Sequence, residues 1–290
     1  MINQPIIAGV DGSPQSLAAV ETAAREAGVR GRPLRVVHGF IWPYMRVPLG
    51  PSELGPATGG LRHQAERIVS EAVDRARAAA PGVDVTGEVI TGSAAQALIS
   101  RSAGAVMIVV GDRGLGAFTG LLAGSVAVHV AAHAACPVMV VRGRAQPSGP
   151  ILLACDGSPA GEPAVGFAFQ EAALRDVELE ALHVWRGPAP ARAGDIVFPV
   201  YDEALVQSEE ERVLAEALAG WREKYPDVPV HRRVLHGPVR RTVIEATEHA
   251  QLAVVGSRGS GGFAGLLLGS VSQAVLHHAA CPLVIIPSGR

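Results

Sequence analysis

Short, nearly continuous apolar runs at residues 6–10, 34–40, 83–90, 105–110 and 138–141 alternate with longer stretches of helical periodicity at 13–28, 61–80, 94–102 and 125–135. Apolar runs of about four to eight residues without polar alternation suit strands buried on both faces, and strands that alternate with helices predict a parallel sheet covered on both sides. The expectation is an α/β fold, a doubly wound (Rossmann-like) domain whose five-stranded parallel sheet is flanked by helices. The pattern then begins again at Ile151 and runs to Ile286.

The second half is a copy of the first in one register. Asp156-Gly157-Ser158-Pro159 follows Asp11-Gly12-Ser13-Pro14 by 145 positions, and the same offset relates Gly256 to Gly111, Gly269-Ser270 to Gly124-Ser125 and Cys281-Pro282 to Cys136-Pro137. A constant offset over a half-chain predicts two tandem domains, 1–145 and 146–290, rather than a solenoid of short units. The polar, Gly- and Pro-bearing segment 143–149 reads as the linker. Segments 41–57 and 186–200 are Pro-rich and read as surface loops, candidate lids.

Composition narrows the function classes. Twenty-five Lys and Arg against 27 Asp and Glu leave a formal net charge of -2, with no basic field for a phosphodiester backbone, so no nucleic acid partner is expected. The first apolar run stops at Asp11, too soon for a signal peptide. The most apolar stretch, 123–141, is broken by His129, His133 and Pro137, short of the roughly 20 apolar residues of a span. No membrane partner is expected, and the localisation expected is cytoplasmic. Cys136, Cys155 and Cys281 show no CxxC pair and read as small buried hydrophobes.

Ligands of doubly wound sheets bind beyond the carboxyl ends of the strands, where strand order reverses. Two features fall there. Gly9-Val10-Asp11-Gly12-Ser13-Pro14 closes the opening strand; Ser13 reads as a helix N-cap and Pro14 as the first helical residue, which leaves Asp11 without a capping duty. Its carboxylate can accept from ribose hydroxyls or a base, or reach magnesium; an Asx turn that only shapes the loop is the alternative. Asp156 repeats the arrangement, with Ala154 in place of Gly9. The second feature is Gly111-Asp112-Arg113-Gly114, nine residues, then Gly124-Ser125, repeated as Gly256-Ser257-Arg258-Gly259, nine residues, Gly269-Ser270. Glycines let a backbone approach an anion, and a helix N-terminus offers N–H groups and a positive dipole end, so phosphate is the expected guest. Ser125 and Ser270 add a hydroxyl, and Arg113 and Arg258 a charge; Gly116 and Gly261 continue the glycine loops as further binding candidates. No Gly-Lys-Ser/Thr follows the glycines, so this is not the Walker loop, nor is it the dinucleotide fingerprint.

These motifs resemble the ATP-binding universal stress proteins in tandem form, whose pattern is G-x2-G-x9-G followed by Ser or Thr, with an Asp after the first strand. The resemblance spans essentially all 290 residues, including the Ala-Cys-Pro entry to the last strand of each half. It implies that Asp11, Gly111, Asp156 and Gly256 lie beside ribose, and that Gly114, Gly124, Ser125, Gly259, Gly269 and Ser270 hold phosphates. It further implies ATP as cofactor, with or without magnesium, a homodimer, a protein partner, and a regulatory role in stress or growth control. Slow magnesium-dependent ATP hydrolysis or phosphotransfer at the same sites is the alternative. The copies differ at Asp112, matched by neutral Ser257; a carboxylate beside a triphosphate repels it unless a metal intervenes or the side chain points away.

Other constellations read as structural. His129 and His133 have metal-ligand spacing, but the repeat places Ala274 opposite His129. His38 and His183 recur at the end of the second strand, bordering the expected crevice or simply buried and hydrogen-bonded. Glu209-Glu210-Glu211-Arg212 reads as the solvated start of a helix that runs towards Lys224.

Overall fold

A computed structural model describes residues 4–40, 57–115, 123–187, 202–259 and 268–288. Of the expected loop segments 41–57 and 186–200, residues 41–56 and 188–200 lie outside the described residues, as do Gly116 and Gly261, while Ala57 is the first residue of a helix. The chain divides into two compact units, Met1–Arg142 and Gly143–Arg290.

The first unit runs β1 (Ile6–Gly9), α1 (Pro14–Arg30), β2 (Leu34–Phe40), α2 (Ala57–Ala79), β3 (Val85–Thr91), α3 (Ala94–Ser102), β4 (Met107–Gly111), α4 (Ser125–His133) and β5 (Val138–Val141). Its strands are parallel in the order β3-β2-β1-β4-β5. The order reverses between β1 and β4, where Ile6 to Ala8 register with Met107 to Val109. Ile6, Ile7, Ala8 and Met107 to Val109 are essentially inaccessible, which is why these strands read as continuous apolar runs.

The second unit runs β6 (Ile151–Ala154), α5 (Glu162–Arg175), β7 (Leu179–Trp185), α6 (Glu203–Lys224), β8 (Val230–His236), α7 (Val239–Ala246), β9 (Leu252–Gly256), α8 (Ser270–His278) and β10 (Leu283–Ile286). Its parallel order is β8-β7-β6-β9-β10, with the same reversal between β6 and β9. The α/β, doubly wound, tandem architecture expected from the pattern is the one observed.

In the first unit α2 begins at Ala57 rather than 61, β3 at Val85 rather than 83 and β4 at Met107 rather than 105, and in the second unit α5 and α6 also begin elsewhere than the sequence suggested. Helix α1 starts as expected: the Ser13 hydroxyl oxygen accepts from the Ser16 N–H at 3.2 Å, with Pro14 at the first helical position. Its counterpart is delayed. A 3-10 turn at Pro159–Gly161 precedes α5, and Ser158 makes no side-chain cap bond. Pro163 supplies no N–H for a bond back to residue 159, so the first turn tightens instead. Helix α6 begins at Glu203, capped by Asp202, whose side chain accepts from the Ala204 and Leu205 N–H groups at 3.0 and 3.4 Å. The acidic cluster at 209–211 therefore lies inside this helix rather than at its start.

The three cysteines are buried and unpaired by disulfide. Burial pushes the Cys136 thiol up to about 12 and raises that of Cys155. His129 and His133 stack with ring centroids 4.4 Å apart, and His133 Nδ1 lies 2.8 Å from the His129 carbonyl oxygen.

The helix ends carry a natural comparison between the copies. Gly31 caps α1 in the left-handed region (φ 59°), and Asp176, 145 positions on, caps α5 at φ 52°. A Cβ on Gly31 meets nothing within 4 Å, so a substitution there reports backbone conformation alone. Gly31→Ala is expected to cost about 1 kcal/mol, and Gly31→Asp less, because aspartate tolerates this region better. Urea unfolding of the three chains checks the order; equal stability of Gly, Asp and Ala would contradict it.

Candidate functional site

At the β1/β4 reversal, β1 ends in Gly9 and hands the chain to Val10 and Asp11. The Asp11 carboxylate is held by both oxygens. Oδ1 accepts from the Ser13 N–H at 3.0 Å and from its hydroxyl at 2.6 Å, and Oδ2 accepts from the Leu115 N–H at 2.8 Å. Asp11 thus forms the Asx turn and also reaches the glycine loop after β4. As expected, Ser13 rather than Asp11 caps the helix, and Asp11 holds Ser13. Gly12 makes the turn at φ 87°.

The loop accepts this carboxylate because residue 114 has no side chain. A Cβ there would lie 2.2 Å from Asp11 Oδ2; on Gly259 it would lie 2.4 Å from Asp156 Oδ2. Gly111 is equally constrained, since its Cβ would meet the Gln15 backbone at 2.9 Å. The loop closes where the Gly124 N–H donates to the Asp112 carbonyl oxygen at 2.7 Å, and Gly269 does the same to Ser257 at 2.7 Å. Helices α4 and α8 then begin with glycine at the N-cap, so no side chain satisfies their first N–H groups. A helix N-terminus left uncapped beside a glycine loop directs N–H groups and a positive dipole end outward, the chemistry that suits an anion.

Each unit encloses a cavity at this point. The first, about 230 Å3, is lined by Gly9, Asp11, Gly111, Arg113, Gly114, Gly124 and Ser125, together with Ser16, Val37, Ala94 and Leu98. The second, about 740 Å3, is lined by Ala154, Asp156, Gly256, Arg258, Gly259, Gly269 and Ser270, with His183, Trp185, Glu210, Arg240 and Val243. The structure brings together every described candidate in its own unit. Asp112 is nearly buried, lies 3.6 Å from Arg113 Nε and does not line the cavity. The repulsion expected from its carboxylate is thereby blunted.

The copies have diverged in compensating ways. A Cβ on Gly9 would meet Leu98 at 2.9 Å, and where the second copy has Ala154, the position of Leu98 holds the smaller Val243. Gly39 in β2 lets α3 approach so closely that a Cβ would lie 2.4 Å from the Ala94 backbone; Val184 fills that place in β7. Helix α7 must therefore stand off further than α3, which suits the larger second cavity.

Sequence reasoning left His38 and His183 open between crevice and core. His183 is buried and lines the second cavity; His38 does not line the first. Both have Nδ1 2.8 Å from a carbonyl oxygen, of Val10 and Cys155, so Nδ1–H donates. His183 Nε2 also lies 2.7 Å from Glu210 Oε2. Glu210 was read as part of a solvated face; it turns inward, while Glu209 pairs with Arg212 on the outside. Residue 65, its counterpart, is Ala, and only a tertiary contact distinguishes Glu210 from its neighbours.

The chain is thus a duplicated doubly wound protein with a glycine-loop cavity in each unit. The universal stress protein family model matches residues 3–142 and 148–287, and the chain belongs to that family. It is 41% identical over 294 residues to a universal stress protein of Mycolicibacterium smegmatis, covering 97% of this chain and 96% of that one. A universal stress protein of Mycobacterium tuberculosis is 38% identical over 288 residues, with 97% and 95% covered. A crystal structure of a universal stress protein from Archaeoglobus fulgidus shares the fold at TM-score 0.71 and 20% identity, covering 100% of both chains. No helix among the described residues is long and apolar enough to cross a membrane.

Burial raises the Asp11 carboxyl, but hydrogen bonds from the Ser13 hydroxyl and N–H, the Leu115 N–H and Ser16 outweigh it and hold the group below the ordinary 3.8. A group depressed on folding stabilises the fold above its unfolded pKa, and that contribution fades as pH falls through the lowered folded value. Wild type is therefore expected to exceed Asp11→Asn in urea midpoint at pH 7, with the gap closing below about pH 3.8. A gap unchanged into acid would contradict this.

Proposed function

We propose that the chain is an ATP-binding regulator of the stress or growth state, with one adenine nucleotide site in each of two domains, residues 1–145 and 146–290. The observation that carries this reading is the aspartate of the first strand lying against the glycine of the loop, beside an uncapped helix N-terminus, in both copies. The aspartate suits ribose hydroxyls and the helix end suits phosphate. Gly9, Ala154, Gly111 and Gly256 leave room for the sugar and base, and Arg113 and Arg258 supply charge beside the loop. Gly116 and Gly261 belong to the same proposal.

ATP fits the residues present, because the missing side chains at Gly114 and Gly259 let each aspartate lie against its loop at the cavity, beside a helix N-terminus with no side-chain cap. Among the described residues, no group of three or more His, Cys, Asp or Glu gathers to hold a metal ion. Magnesium, where it takes part, would arrive with the triphosphate, as this ion commonly does, with Asp11 or Asp156 as a carboxylate lining the cavity. A homodimer, a protein partner read out from nucleotide occupancy and a cytoplasmic location complete the proposal.

Titration calorimetry with ATP tests it. Gly114→Ala and Gly259→Ala should each weaken one of two binding events by about tenfold or more, because the added methyl displaces the carboxylate. Variants that bind ATP as the wild type does would contradict the assignment. Sustained ADP formation, abolished by Asp156→Ala, would favour the hydrolase or phosphotransferase instead.

A further inference from the structure

The two cavities no longer carry the same charge. Among the described residues lining the first, Arg113 is the one arginine, and Asp112 stands 3.6 Å from its Nε. Arg186, Arg240 and Arg258 all line the second, against Asp156 and Glu210. Glu210 is engaged with His183 at 2.7 Å, and Ser257 leaves Arg258 without a counterpart of Asp112.

Arg240 is the most informative of the three. It is the second residue of α7, in a consecutive pair with Arg241. Arg241 turns outward and pairs with Glu245 at 2.7 Å, one helical turn on. Arg240 lines the cavity, with no carboxylate in ion-pair range among the described residues. Position 95 of the first copy, its counterpart, is a buried alanine. The difference follows from packing: Gly39 lets α3 close onto β2, whereas Val184 holds α7 off β7 and leaves space for a long side chain at the cavity rim.

We propose that Arg240 is a specificity-determining residue of the second site, drawing in the polyphosphate of its nucleotide so that this site prefers ATP to AMP more steeply than the first site does. The inference rests on the reading that each unit binds an adenine nucleotide. A guanidinium is a fixed charge with a planar array of donors, suited to phosphate oxygens, and its attraction grows with each added phosphate charge. A contact to the base or ribose would serve AMP and ATP alike. The unequal charge of the two cavities therefore becomes unequal selectivity, which gives one chain two responses to a changing ATP-to-AMP ratio.

The test is titration calorimetry of the full chain with ATP, ADP, AMP and adenosine, for wild type, Arg240→Gln and Arg240→Lys. Arg240 is exposed, and matching thermal unfolding curves for the three proteins serve as the check that the fold is retained. Arg240→Gln should raise the Kd of one binding event for ATP by roughly tenfold, leave AMP and adenosine within about twofold, and spare the other event. Arg240→Lys should restore most of the ATP affinity. An equal loss for ATP, AMP and adenosine would overturn the proposal by placing Arg240 on the base or ribose, and no change for any ligand would overturn it outright. A wild-type chain that binds none of the four ligands would overturn the underlying nucleotide reading instead.

Discussion

The site in each unit depends on one close contact, a carboxylate at the end of the first strand set against a residue with no side chain. Asp11 and Asp156 occupy the volume that a Cβ at Gly114 and Gly259 would need, at 2.2 and 2.4 Å. In the first unit this contact is sealed by the Leu115 N–H and backed by the Ser13 hydroxyl. It fixes the glycine loop to the point where the strand order reverses, and the loop in turn sets where the next helix begins. Because that helix starts with glycine, its N-terminus keeps its donors available. Turn, loop and helix end are one assembly, and the proposed nucleotide site rests on it.

Duplication shows which parts of this assembly are rigid requirements. Aspartate, the loop glycines and the closing bond from Gly124 or Gly269 recur unchanged. What surrounds them has moved in pairs. Gly9 with Leu98 has become Ala154 with Val243, keeping the local volume in balance. Gly39 has become Val184, and the helix that faced it can no longer come as near, which makes room for Arg240. The copies share the aspartate and glycine-loop framework while differing in the size and charge of the cavity it borders.

Much of this was legible in the sequence, for identifiable reasons. Buried parallel strands leave continuous apolar runs, so β2, α3 and β5 carry the bounds expected of them, and the constant offset of 145 exposed the two-unit organisation. The glycine loops were legible because only glycine serves there. Features that depend on tertiary contact were not. The inward turn of Glu210 towards His183 looks, in sequence, like any member of an acidic cluster. The Asp202 cap of α6 follows directly on a long Pro-rich segment, and the delay of α5 needs Pro163 weighed against Pro159. Arg240 is one of two adjacent arginines, and only the packing of α7 says which of them faces the cavity.

The central claim is that both units hold ATP. It is tested most directly by denaturing the purified chain and quantifying the nucleotide released, by chromatography and mass spectrometry, with a parallel ATP titration of the stripped and refolded protein. One ATP per unit, released or taken up on titration, is the predicted result. A chain that releases no nucleotide and takes up none would contradict the account at its foundation.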